Sequence, residues 1–306
     1  MTKKILYVIG NGFDIHHTIR SRYKHFKEYV ETKDPDLFEA IEKYFPNDSD
    51  WSDFETTLAY LDTDELVENA SVYLMSYADD NWRDSANHDY QYELGKIITL
   101  VTEKLKERFT EWVLQIAIPA EAYEHKLAMP AGIKYINFNY TPTLEKIYGI
   151  KEGEILYIHH KAVNIESNLI LGHGRNPKEM KSMNDGATLE DQDVRITEGN
   201  KLLDDYFAEN YKPTKRIIKD NKEFFKSLKD IDEVHVLGHS ISSVDIRYFE
   251  EIKKHISAKK VEWKVSYYTN KERIEHEEVL IEIGIKKELL HFDRLKNLYS
   301  SQLSLF

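Results

Sequence analysis

The chain has 306 residues, 41% of them hydrophobic and 31% charged, with a formal net charge of −12 and no cysteine. That length fits one large domain, or one domain carrying a sizeable insertion. The acidic balance argues against a protein that coats nucleic acid, although a local pocket for one small phosphorylated ligand remains open. The lack of cysteine removes disulfides, thiolate zinc sites, iron–sulfur clusters and cysteine nucleophiles, and fits a reducing cytoplasm.

The first element is residues 4–9 (KILYVI), a continuous apolar run stopped by Gly10 that reads as a strand buried on both faces. From Arg20 to about Leu127 the pattern turns helical. Tyr23, Phe26 and Val30, then Phe38, Ile41 and Phe45, recur at helical spacing. Leu94 to Ile118 reads as one amphipathic helix of about seven turns. The aromatic, acidic stretch from Asp48 to Tyr92 reads as two helices and a loop. Strands are then expected at Lys134–Phe138, Glu154–His159 and Asn168–Leu171, with a short helix from Pro142 to Tyr148. Residues 175–200 carry no apolar period and read as an active-site loop. Helical pattern returns from Leu202 to Leu228, followed by a strand at Glu233–Leu237, a helix at Val244–Ile256, a strand at Val261–Tyr268, a helix at Lys271–Ile283 and a tail.

Strands alternating with helices imply an α/β fold with a mostly parallel sheet and a large helical insertion after the first strand. The expected division is a Rossmann-like nucleotide-binding domain from 1–20 and 129–306, with the insertion at 21–128. No apolar stretch approaches the roughly 20 residues that span a bilayer. Ile5–Ile9 is too short for a signal-peptide core, so a soluble, cytoplasmic protein is expected.

Open parallel sheets collect ligands at the carboxyl ends of their strands. The first strand leads into Gly10-Asn11-Gly12-Phe13-Asp14, where glycines permit a tight turn and let a phosphate approach backbone N–H groups. Gly-x-Gly alone is a weak signal, and the third glycine of the dinucleotide fingerprint is absent because position 15 is Ile. The next strand ends in Asn137-Phe138-Asn139-Tyr140-Thr141. There Asn139 can grip ribose hydroxyls or orient a water, or Asn139 and Thr141 simply cap the helix starting near Pro142. His159 and His160 follow, either one a ready general base. In a strand they point to opposite faces, so at most one faces the site. Gly172-His173-Gly174-Arg175 offers a phosphate-pairing arginine. Gly238-His239-Ser240-Ile241-Ser242-Ser243-Val244-Asp245 is a polar strand-to-helix turn suited to ribose or phosphate, or an ordinary Ser-capped helix start. The pairs His16-His17 and His159-His160 lack the i,i+4 spacing that puts two ligands on one helix face, and no His-Glu-x-x-His occurs, so no metal site is assigned. A serine hydrolase is disfavoured because no Gly-x-Ser-x-Gly occurs.

Together these segments resemble the abortive-infection AbiH family of bacterial antiphage proteins. The matching pieces are Ile9–Asp14, Trp51-Ser52-Asp53-Phe54-Glu55, Phe138–Thr141, Ile158-His159 and Gly238-His239-Ser240. That family in turn is similar to sirtuin-like NAD-binding domains, which implies a sirtuin- or DHS-like Rossmann fold. By that resemblance Gly10, Gly12 and Phe13 match a dinucleotide-gripping loop, Asn139 a catalytic asparagine and His159 a catalytic histidine. Gly238 and Ser240 match a late turn that contacts the nucleotide. Asn11, Asp14, His239 and Asp245 lie in the same two turns and are counted with the cofactor-binding residues. The sequence departs from the pattern at Asp14, Thr141 and His160, where serine, aspartate and glycine are expected. An added carboxylate at Asp14 would repel a pyrophosphate unless it turns away, bonds a ribose or holds a metal. The absent zinc ribbon removes a deacetylase and leaves NAD binding or cleavage.

The resemblance thus implies a protein that binds and hydrolyses NAD or a related nucleotide as substrate, with no cofactor required. Its partners would be that small nucleotide and a phage trigger protein, with no membrane or nucleic acid, in a homo-oligomer. Two other classes compete. One is a metal-dependent nuclease or phosphodiesterase using Asp14, Asp53 or Glu55. The other is a non-catalytic sensor that uses the aromatic stretch Trp51–Tyr92 as a surface, although aromatics at helical spacing are more often core.

Overall fold

The computed structural model describes residues 3–80, 82–84, 86–131, 134–186, 193–256 and 260–299. In chain order, β1 (Ile5–Ile9) runs into α1 (Asn11–His16). Then come α2 (Tyr23–Lys33), α3 (Pro35–Tyr44), α4 (Phe54–Thr57), α5 (Thr63–Ser71), α6 (Ala86–Thr99) and α7 (Leu105–Gln115). β2 (Lys134–Asn137), α8 (Thr143–Tyr148) and β3 (Ile155–Tyr157) follow, then α9 (Val194–Glu209), α10 (Thr214–Asp220) and α11 (Lys222–Lys226). The order closes with β4 (Glu233–Leu237), α12 (Ile246–Ile256), β5 (Glu262–Tyr267), α13 (Asn270–Glu282) and β6 (Leu290–Arg294).

The chain divides into two units. The first takes in Met1–Arg22, Trp112–Ile170 and Pro213–Phe306. Its centre is a six-stranded sheet in the order β3-β2-β1-β4-β5-β6, with every pair parallel. Rossmann-like sheets use this same order, which reverses direction between β1 and β4. All five residues of β1 are buried, as its unbroken apolar run requires of a strand covered on both faces. Leu6 and Val8 pack on one face with Tyr248, Phe249 and Ile252 of α12. Ile5, Tyr7 and Ile9 pack on the other with Phe13 of α1 and Leu144 of α8. The period-2 alternation of strand side chains thus gives the sheet two cores.

Register places the strand ends. Ile9 lies opposite Asn137 on one side and Leu237 on the other, and Asn137 lies opposite Tyr157. The ladder runs one step further through bonds from Phe138 N–H to Ile9 O and from Ile158 N–H to Asn137 O. Asn11, Asn139, His159 and His239 therefore leave the sheet at one level, each two residues past this shared rung.

Three expectations for the sheet need correction. Asn168–Leu171 is not a strand. Leu169 is buried, but Ile170 N–H donates to His159 O and Tyr140 Oη–H to Ile170 O, so this segment is tied to the residues after β2 and β3. The expected tail contains β6, which pairs with β5 from Trp263↔Leu290 to Tyr267↔Arg294. Its LHFDR sequence is half polar, as a sheet edge tolerates. β3 also stops at Tyr157, short of the histidines.

The second unit takes in Tyr23–Glu111 and Leu171–Lys212, two stretches of chain where the sequence reading has one insertion. Trp51 and Phe54 stack at 4.9 Å in its core, with Phe26 packed edge-on against both. Tyr90 is buried too, whereas Tyr60, Tyr73, Tyr77 and Tyr92 are exposed, so the aromatic stretch divides between core and surface. Gly199 lets α9 close on α6, since a Cβ there would lie 2.4 Å from the Tyr90 ring. The expected long helix is present but wider at Leu100–Lys104, one π-helical turn between α6 and α7. Asn210 Nδ2 donates to Val101 O within that turn, and Thr102 Oγ1–H donates back to Ile98 O. The expected loop at 175–200 gives way to α9 from Val194, and residues 187–192 of it lie outside the described residues.

Candidate functional site

The β1–α1 and β4–α12 turns of the first unit meet backbone to backbone. Gly10 N–H donates to Leu237 O at 3.0 Å, and Gly12 N–H to Gly238 O at 2.7 Å. A Cβ on Gly10 would lie 2.5 Å from His239 Cα, and one on Gly12 2.8 Å from Gly238 Cα. Gly238 has φ +66°, and a Cβ there would lie 2.1 Å from Phe13 N. The three glycines are thus explained by close packing of two turns at the point where the strand order reverses. Phe13 N–H donates to Gly10 O, so the amides of Gly10, Gly12 and Phe13 all bond inside the protein.

The side chains of the first turn also face inward. Asn11 Nδ2 donates to Ser21 O at 2.9 Å, and Ser21 Oγ–H donates to Asn11 Oδ1. Phe13 packs between His17 and Tyr148. Asp14 is fully buried, and its Oδ2 accepts from Thr141 Oγ1–H. Burial pushes the Asp14 carboxyl up to about 6, against the donors of Thr141, Thr143 and Asn139 that favour its charged form. Of the options the sequence left for Asp14, turning away is the one adopted.

In the β2–α8 turn, Asn139 Nδ2 donates to Gly10 O at 3.1 Å, and Asn139 N–H donates to Asn137 Oδ1. The side chains of Asn139 and Thr141 therefore tie this turn to the first one, and Pro142 stands at the start of α8. Beyond β3, His159 and His160 separate. His160 is exposed with φ +65°, and its Nδ1–H donates to Asn168 O. His159 is buried, with Nε2 3.5 Å from Asp245 Oδ1.

His239, also buried, reaches the same carboxylate, with Nε2 3.7 Å from Asp245 Oδ2. Its Nδ1 accepts from Ile241 N–H at 2.8 Å. Phe138 sits edge-on to both imidazoles, with centroids 5.5 Å from His159 and 4.2 Å from His239. Tyr140 stacks on His159. Ser240 is exposed, and its carbonyl accepts from His276 Nε2–H, while Gly238 N–H donates to Ser266 Oγ. An imidazole beside a buried carboxylate among aromatic rings can take up and pass on a proton, and the surrounding low polarity strengthens the interaction.

The other sequence candidates belong to the second unit. Glu55 Oε2 lies 2.6 Å from Nζ of Lys212, whose side chain is completely buried. Asp53 is exposed at the start of α4. His173, fully buried, is held down to about 4 by desolvation. Among the described residues, no three His, Asp or Glu converge as a metal-binding set. The sequence reading named Phe138 only as part of a motif, not as the aromatic hub it is, and gave the buried Lys212 no role. It counted Asp245 among the nucleotide contacts, and no sequence spacing links that residue to His159.

The family model for bacteriophage abortive infection AbiH matches residues 6–267, from within β1 to the end of β5. The chain belongs to the AbiH family. AbiH membership makes this an antiphage protein of abortive infection, and the matched span includes every residue of the strand-end site. No curated protein matches the chain. Among the described residues, no helix is long and apolar enough to cross a membrane.

Proposed function

We propose that this AbiH protein binds NAD or a related nucleotide at the strand ends of β1 to β4 and hydrolyses its nicotinamide glycosidic bond. The observation that carries this reading is the buried His159 beside Asp245, two residues past the same rung as Asn139. The water oxygen bonds ribose C1′ as the bond from C1′ to nicotinamide nitrogen breaks. The bonding pair neutralises the pyridinium nitrogen, and a water proton passes to His159. The cationic leaving group does much of the chemistry, so the protein mainly positions groups. Because the amides of Gly10, Gly12 and Phe13 bond internally, those residues shape the site, and exposed Ser240 is the hydroxyl of the late turn offered to the nucleotide.

A cytoplasmic homo-oligomer answering a phage trigger protein completes the proposal. It is tested in phage-challenged cells by following NAD content and plaque formation. Wild type should lose NAD and restrict plaques, and Asn139→Ala should do neither. Protection by Asn139→Ala equal to wild type, with NAD unchanged in both, would overturn it. Protection that persists with NAD bound but not consumed would instead support a non-catalytic sensor.

A further inference from the structure

We propose that Asp245 is the positioning carboxylate of this site, that it sets the proton of both His159 and His239 on Nε2, and that His239 is a fixed neutral donor while His159 is the base. The proposal deepens the hydrolysis reading and rests on it for the reaction, but the proton placement stands on geometry alone.

Each oxygen of Asp245 faces one imidazole Nε2, Oδ1 toward His159 at 3.5 Å and Oδ2 toward His239 at 3.7 Å. The three side chains are at most 9% exposed. A backbone N–H can only donate, so the bond from Ile241 N–H requires a lone pair on His239 Nδ1. The proton of neutral His239 then lies on Nε2, toward Asp245. Protonating Nδ1 would set two N–H groups against each other, so His239 cannot serve as the base while this turn is intact. At 3.5 and 3.7 Å these contacts act through charge rather than as hydrogen bonds, and a carboxylate charge on the Nε2 side of each ring favours the tautomer with its proton there.

The backbone is held to this arrangement at some cost. Ile241 has φ +51°, an outlying conformation for a β-branched residue, and it follows Gly238 at φ +66° within the same short turn. His160, directly after His159, has φ +65°. Such residues persist only where their surroundings over-determine them. Here His276 Nε2–H grips Ser240 O from one side, and Asn168 O accepts from His160 Nδ1–H on the other. Each strained residue lies within two positions of one of the two histidines.

The experiment is long-range nitrogen NMR of histidine-labelled protein, with nicotinamide release measured in parallel. In wild type, both His159 and His239 should carry their proton on Nε2. Asp245→Asn places a donating amide against His159 Nε2. It should shift that proton to Nδ1 and cut nicotinamide release by about 10²-fold or more. Asp245→Glu, which keeps an acceptor, should preserve the tautomers. His239→Gln keeps an N–H donor for Asp245 and should lose less than about tenfold, against at least about 10²-fold for His159→Gln. Either imidazole protonated on Nδ1 in wild type overturns the proposal, as does an unchanged His159 tautomer in folded Asp245→Asn. Equal losses in His239→Gln and His159→Gln also overturn it. If Asp245→Asn does not fold, the wild-type tautomers and His239→Gln still decide. If wild type releases no nicotinamide from NAD, hydrolysis fails as a reading, and the tautomers alone decide the role of Asp245.

Discussion

The hydroxyl of Thr141 donates to the carboxylate of Asp14, joining residues 127 positions apart and tying the β1–α1 turn to the β2–α8 turn. The carboxylate that looked misplaced beside a phosphate is instead an internal latch. Because burial raises its pKa to about 6, the folded protein holds the proton more tightly than the unfolded chain, where Asp titrates near 4. The stability contributed by that proton is complete below about pH 4 and is lost as pH rises through about 6. Asp14→Asn keeps an acceptor for Thr141 without the buried charge. Its melting temperature relative to wild type should climb between pH 4 and 7, and parallel melting curves across that window would refute the latch as described.

Gly238 and Gly149 make a controlled pair. Both have positive φ, +66° and +71°, but Gly149 has nothing within 4 Å of an added Cβ, whereas Gly238 meets Phe13 N at 2.1 Å. Gly149→Ala should cost roughly 1–2 kcal/mol, the left-handed penalty alone. Gly238→Ala adds the collision and should cost a further ~1–3 kcal/mol or prevent folding. Urea titrations of both variants compare them, and equal losses would mean that the two turns are not locked together.

Lys212 and Glu55 form an ion pair with the ammonium completely buried. Removing one partner of a buried pair typically costs about 3–5 kcal/mol, whereas replacing both with apolar residues can be nearly neutral. Glu55→Met should therefore destabilise more than the double variant Glu55→Met/Lys212→Met. Denaturation of the four members of this cycle gives the coupling. Additive losses would show that the pair does not hold this part of the second unit together.

The strands legible in the sequence were those with buried apolar residues along them, throughout β1 and at Val234, Val236, Trp263 and Val265 of β4 and β5. β1, β2, β4 and β5 read directly, and so did the turns that follow β1 and β4. β6 escaped because an edge strand needs only half its side chains apolar, as Leu290 and Phe292 show. Asn168–Leu171 misled because burial of Leu169 looks the same in sequence whether the cover is a sheet or a crossing segment. Gly10 and Gly12 read as a tight turn, and what they accommodate is Gly238 and His239, which only the parallel pairing of β1 with β4 brings near. A lysine reads as surface, so Lys212 gave no signal. Its burial depends on Glu55, 157 positions away. The two histidines could be named but not ranked until the chain after Tyr157 was seen to turn one inward to Asp245.

The most direct measurement holds purified protein with NAD and follows free nicotinamide, wild type beside His159→Gln. Wild type should release nicotinamide, and the variant should be slower by at least about 10²-fold while melting at a similar temperature. Equal release by both proteins, or none from wild type in any oligomeric state, would contradict an NAD-hydrolysing site built on His159.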